Sequence, residues 1–146
     1  MKTKIKAVAI RNLVKADTWI RWLGKTAKHI AVRSSSIETA HGLIPLRIYQ
    51  PPGEGPFPVL VYYHGGGWVI GDLDVYDPLC RDLCDRSDCI VVAVEYRLAP
   101  EHPFPAAPED CLAALKWTYE HIAQYGGLPN AIAVAGDSAG GNLAAV

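Results

Sequence analysis

The sequence predicts an α/β fold, a largely parallel sheet with helices on both faces. Three observations carry this. Residues 59–63, 90–94 and 131–135 are apolar without interruption. Unbroken runs, rather than alternation, mark strands covered on both faces. The segments between them repeat apolar residues at helical spacing, and a Gly-x-Ser-x-Gly turn follows the third run. Parallel strands joined through helices imply right-handed crossovers.

The first 33 residues carry nine basic side chains and a lone acid, Asp17, a local charge of +8, which leaves −9 for the rest of a chain whose net charge is −1. Within them Ile5, Val8, Ala9, Leu13, Ile20, Leu23, Ala27 and Ile30 fall close to a helical period, interrupted by Gly24. This predicts a basic amphipathic helix over residues 5–30, with Trp19 and Trp22 on an apolar face that something must cover. The segment lacks the ~7–15-residue apolar run of a secretory signal, although its Lys/Arg content and the following Ser34-Ser35-Ser36 share features with organelle transit peptides.

Two strands follow, over residues 31–37 and 43–49, punctuated by His41-Gly42, and then a Pro/Gly loop over residues 51–56. After the strand at 59–63, Val75, Leu79 and Leu83 recur every four residues. Cys111, Leu115, Tyr119 and Ile122 form a second helical stripe. That helix is expected to start near Pro108, with Glu109 and Asp110 in its first turn, and to stop at Gly126-Gly127.

At 146 residues, 50% of them apolar and 20% charged, the chain has the size and balance of one globular domain. The near-neutral net charge gives no bias toward nucleic acid. No run approaches ~18 apolar residues, so no membrane insertion is expected. Cys80, Cys84, Cys89 and Cys111 form no C-x-x-C pair. They read as buried free thiols rather than metal ligands, which with the missing signal points to a reducing, cytoplasmic compartment.

The chemistry-bearing residues lie in two motifs. Gly136-Asp137-Ser138-Ala139-Gly140 places a serine on a tight strand-to-helix turn, which pushes the Ser138 hydroxyl above the sheet and over a helix N-terminus. His64-Gly65-Gly66-Gly67-Trp68 directly follows a buried strand. A glycine-rich loop there can aim backbone N–H groups at a developing oxyanion, where each donor is worth roughly 10²–10³ in rate. His64 precedes the glycines, so it reads as an anchor of the loop rather than a general base.

Three stretches in order, His64–Trp68, Val94-Glu95-Tyr96-Arg97-Leu98-Ala99-Pro100-Glu101-His102-Pro103-Phe104-Pro105-Ala106 and Gly136–Asn142, resemble the hormone-sensitive-lipase-like (family IV) carboxylesterases of the α/β-hydrolase fold-3 group. The likeness runs from about Ser34 to the end. It implies a nucleophile at Ser138 and oxyanion donors at Gly66, Gly67 and Ala139, with Gly65 supporting the oxyanion loop. His64 and Asp137 would be structural members of the motifs, and Trp68 would contact the substrate. The substrate would be a small acyl ester, hydrolysed without metal or organic cofactor. Residues 1–33 resemble the family's cap, and residues 34–146 the N-terminal half of its hydrolase domain.

The family's triad runs Ser, then Asp or Glu, then His. Here all five histidines precede Ser138, and nothing acidic follows it. The last eight residues span only ~12 Å as helix. The expectation is an incomplete α/β-hydrolase fold, lacking its C-terminal strands and inactive as it stands, with the strand at 131–135 left as an apolar edge. Two further readings accompany the esterase. A receptor-like relative would bind a small acid in the same glycine loop. A basic helix could also lie on anionic lipid, against which a cap helix with a solvated basic face is the plainer reading.

Overall fold

The computed structural model describes Lys4, Lys6, Ala7, Ile10, Arg11 and residues 27–146. Those five early residues are helical; the rest of the basic helix expected over residues 5–30, with Trp19 and Trp22, lies outside the described residues.

The strands are β1 (Ala31–Thr39), β2 (Gly42–Gln50), β3 (Phe57–Tyr63), β4 (Ile90–Val94) and β5 (Gly127–Gly136). The helices are α1 (Leu73–Ser87), α2 (Ala106–His121) and α3 (Ala139–Ala145), with a 3-10 turn at Ile122–Tyr125. The strands form one sheet in the order β1-β2-β4-β3-β5. Strands β4, β3 and β5 are parallel, as their unbroken apolar runs require, and β1 and β2 join as an antiparallel hairpin. The hairpin turns at Gly42, whose φ is 115°.

The sheet is covered on both faces, and β4 shows how. Ile90, Val92 and Val94 join one core with Ile44, Leu46, Ile48, Val59 and Val61, under Ala107, Cys111 and Ala114 of α2 and Leu143 of α3. Val91 and Ala93 join the other, with Tyr49 and Tyr62, under Leu73, Cys80 and Cys84 of α1. All five residues of β4 are buried. Cys80 and Cys84 are free thiols inside that second core, and burial pushes the Cys84 thiol up to about 12, so it stays protonated and inert.

Several element limits differ from the sequence reading, the starts of α2 and β5 among them. Helix α2 starts at Ala106, two residues before Pro108, because the first turn of a helix leaves its N–H groups unbonded and so tolerates a proline. Strand β5 starts at Gly127 rather than near residue 131, pairing first with Phe57 and resuming at Val59 after an irregularity in the register. In the described sheet β5 is an edge, and Val134 on it is 37% exposed.

An ion pair between a partly exposed arginine and a buried carboxylate fastens α2 to the loop after β4. Arg97 donates to both carboxylate oxygens of Asp110, from Nε at 2.9 and 3.1 Å and from NH2 at 2.8 Å, and its backbone N–H adds a fourth bond at 2.9 Å. Asp110 is only 2% exposed. Arg97→Met would leave that carboxylate buried without its cation, and is expected to lower stability by about 3–5 kcal/mol in urea denaturation. Arg86→Met, which breaks an exposed pair with Asp82, should leave the midpoint unmoved. Equal losses in the two variants would contradict the burial argument.

Candidate active site

The candidate site lies where the parallel strands β3 and β5 end side by side, Tyr63 opposite Gly136. The chain leaves β5 through Gly136 and Asp137 and enters α3 at Ala139. Ser138 sits between them at φ 50°, ψ −117°, a conformation that non-glycine residues rarely hold, and its side chain is exposed. Two backbone bonds close the turn, Gly140 N–H to Asp137 O at 2.8 Å and Asn142 N–H to Ser138 O at 3.1 Å. The turn also needs a glycine at 140, because a Cβ there would lie 1.9 Å from the carbonyl oxygen of Tyr63.

The second motif leaves β3 beside it. Gly66, Gly67 and Trp68 all have positive φ, at 122°, 60° and 59°. The loop folds back on itself, with the N–H groups of Val69 and Ile70 both donating to Gly66 O at 3.1 and 3.0 Å. Trp68 O accepts from Ala99 N–H at 2.8 Å, which ties the loop to the segment after β4. Among the described residues, no acceptor is bonded to the N–H groups of Gly66, Gly67 or Ala139. They are the amides with capacity to receive an incoming oxygen.

Gly65 has a different occupation. Its N–H donates to Asp137 Oδ1 at 2.9 Å, so the glycine loop and the serine turn are joined directly. The same carboxylate accepts from the Tyr62 hydroxyl at 2.8 Å and from the Tyr76 hydroxyl at 3.1 Å. Burial, followed by the bond to Asp137, raises the Tyr62 phenol; burial, followed by the charge of Asp137, pushes the Tyr76 phenol up to about 12. Both phenols therefore remain donors at neutral pH. Sequence reasoning missed these two tyrosines. The only signals were a Tyr-Tyr pair ahead of the glycines and a tyrosine one turn into α1.

His64 is 2% exposed and packs flat on Tyr96, with ring centroids 4.3 Å apart. Its Nδ1 is 2.7 Å from Gly65 O, which makes Nδ1 the protonated nitrogen, and Tyr96 Oη donates to His64 O at 2.6 Å. Burial, opposed by that carbonyl and by the charges of Asp72 and Asp137, holds the imidazole below its ordinary value. No side chain among the described residues hydrogen-bonds the Ser138 hydroxyl. Beside Gly67 a cleft of about 500 Å³ opens, walled by Trp68, Ala99, Phe104, Pro108 and Leu143. Trp68 is 42% exposed in it.

Two outcomes follow from this geometry. A Cβ at Gly65 would lie 2.2 Å from Asp137 Oδ2, whereas one at Gly67 meets nothing within 4 Å and suffers only its positive φ. Gly65→Ala should therefore lower the melting temperature further than Gly67→Ala, whose backbone penalty is about 1–2 kcal/mol; the reverse order would refute the Asp137 contact. The lowered pKa of His64 means that the native state binds fewer protons there than the unfolded chain below the ordinary value of 6.5. Stability should fall as pH drops through about 6.5, and the fall should end once pH passes below the native pKa. His64→Asn should flatten the melting-temperature slope between about pH 7 and 5, and an unchanged slope would assign the titration elsewhere.

Comparison with known proteins agrees with this geometry. A family model described as the alpha/beta hydrolase fold matches residues 60–146. The carboxylic ester hydrolase LipN of Mycobacterium tuberculosis is 55% identical over 119 residues, which cover 81% of this chain and 32% of that protein. The carboxylesterase NlhH of the same species is 57% identical over 104 residues, covering 70% of this chain and 33% of that one. The crystal structure of EstE1, a thermostable carboxylesterase cloned from a metagenomic library, superposes with a TM-score of 0.89 at 44% identity, over 95% of this chain and 47% of that one. The chain thus spans about a third of the length of the curated relatives it matches. With the family model covering residues 60–146 and the motifs in order, the chain belongs to the alpha/beta hydrolase fold family, in its hormone-sensitive-lipase-like group.

Proposed function

We propose that this chain carries the nucleophile and the oxyanion hole of a serine hydrolase that acts on small carboxylic esters. The observation that supports it most is the joint placement of Ser138 and the glycine loop. An exposed serine in a strained turn is bonded, through Asp137 and Gly65, to a loop whose next two amides have no acceptor among the described residues. Ser138 Oγ attacks the ester carbonyl. The negative charge that develops on the carbonyl oxygen is received by the N–H groups of Gly66, Gly67 and Ala139. Collapse of the tetrahedral species breaks the bond to the alcohol and leaves an acyl group on Ser138, which water then removes.

The attack needs a base to accept the serine proton. Among the described residues no histidine is bonded to Ser138, and His64 is held neutral within its loop. The base and its orienting acid are therefore proposed to come from the part of the relatives' length that this chain does not span. Asp137 serves the loop instead, and the apolar cleft beside Trp68 takes part of the substrate. Residues 1–33 are proposed to act as the cap over it.

The test compares residues 1–146 with the full-length protein on p-nitrophenyl acetate. The short form should give little or no turnover, and its Ser138→Ala variant should be no worse. In the full-length protein Ser138→Ala should lower kcat by roughly 10³-fold or more and abolish labelling by a fluorophosphonate. Serine-dependent turnover by the short form would overturn the assignment of the base. A full-length protein that is unlabelled and silent, yet binds small carboxylic acids, would favour the receptor-like reading instead.

A further inference from the structure

Arg11 reaches, from the N-terminal segment, into the frame of the glycine loop. Its Nε donates to Val69 O at 2.7 Å and its NH2 to Ala99 O at 3.0 Å. The same guanidinium binds the Glu101 carboxylate at both oxygens, NH2 at 2.9 Å and NH1 at 3.3 Å. Val69 is the residue after Trp68, and Ala99 is the residue whose N–H holds Trp68 O. One side chain thus binds both segments that flank Trp68. The pair is partly shielded, with side-chain exposures of 23% for Arg11 and 28% for Glu101.

Of the three consecutive positive φ angles, Gly66 to Trp68, glycine holds the first two without steric cost, but the third falls on a tryptophan, where it is not intrinsically favoured. It persists because its surroundings hold it. On its inner side the N–H groups of Val69 and Ile70 close on Gly66 O, and on its outer side Ala99 holds Trp68. Among the described residues, the Arg11 side chain bonds both sides at once. A planar guanidinium has donors enough for two carbonyls and a carboxylate at once, whereas an ammonium offers one point of charge. Arg11 also holds the Glu101 carboxyl below the usual carboxylate range, so the acid is charged at neutral pH.

We propose that Arg11 is a positioning residue, which clamps the N-terminal segment to the oxyanion loop and so sets the Gly66 and Gly67 amides through Val69 and Ala99. The catalytic part of this rests on the ester-hydrolase reading; the clamp itself does not.

The experiment uses the full-length protein, unaltered and as Arg11→Met and Arg11→Lys. Hydrogen exchange is read at the amides of Val69, Ile70 and Ala99, with Val61 and Val92 in the sheet as internal references. Turnover of p-nitrophenyl acetate is measured alongside. Arg11→Met should speed exchange at the three loop amides by at least about tenfold while the sheet amides keep their rates. It should lower kcat on the order of tenfold with KM within about twofold, as expected when a transition-state donor is misplaced and substrate binding is untouched. Arg11→Lys should fall between, and it decides the matter if Arg11→Met also loosens the sheet. Unchanged exchange at the loop amides overturns the clamp. Faster exchange with kcat intact, or a change confined to KM, overturns the positioning role. If the unaltered protein does not hydrolyse the ester, the functional reading fails, and the exchange arm alone still decides the clamp.

Discussion

The bond from the Gly65 N–H to the Asp137 carboxylate is the contact on which the rest of the site depends. It joins two loops that leave neighbouring parallel strands, and at 2.9 Å it fixes their separation. The carboxylate also accepts from the hydroxyls of Tyr62 on β3 and Tyr76 on α1. A charged acceptor with three donors is strongly held, since hydrogen bonds to charged groups are worth about 1.5–3 kcal/mol each. The same contact would leave a Cβ at position 65 only 2.2 Å from Asp137 Oδ2. It also explains how a serine turn with unfavourable dihedrals and a loop with three successive positive φ values can coexist. Trp68 in one and Ser138 in the other hold a conformation that side chains disfavour, and the two segments are bonded to each other.

The sheet supplies the rigidity behind this contact. Strands β3, β4 and β5 are parallel, so their C-terminal ends open on the same side, and loops that follow them converge there. Burial on both faces keeps the strand ends in place, with α2 and α3 over one face and α1 over the other. The close approach of Gly140 to Tyr63 O brings α3 down onto the end of β3, which aligns the serine with the loop that continues from that strand. Ties on the loop after β4 include those from Arg97 to Asp110 of α2 and from Ala99 to Trp68. The candidate site is therefore carried by loops, and the strands beneath them set its geometry.

Much of this architecture is legible in the amino-acid sequence. The uninterrupted apolar runs announce a doubly covered sheet, and the strands lie where those runs lie. His41-Gly42 marks the hairpin turn, and Gly126-Gly127 marks the end of the helical stretch. The limits that differ have local causes. Pro108 reads as a helix start, but a first turn accommodates proline two residues further in. The start of β5 is hidden because Gly127, Pro129 and Asn130 are poor strand formers, and pairing with Phe57 overrides that preference. The roles of Tyr62, Tyr76 and Arg11 are not legible at all, because each acts on a residue 58 or more positions away.

The type of each described element and the kind of chemistry on offer follow from the chain's local character. Periodicity dictates which faces are apolar, and glycine spacing dictates where the backbone can turn sharply. Which amides are committed, and which have no acceptor among the described residues, emerges only when the strands pack. Gly65 looks like Gly66 and Gly67 along the chain, yet its N–H is consumed by Asp137. His64 reads along the chain as an anchor of its loop, and only packing shows how: it stacks on Tyr96, bonds the Gly65 carbonyl, and is kept neutral by burial. Hydrogen-bond capacity and proton affinity depend on what lies within a few ångströms in space, and that is set by the packing of strands distant in the chain.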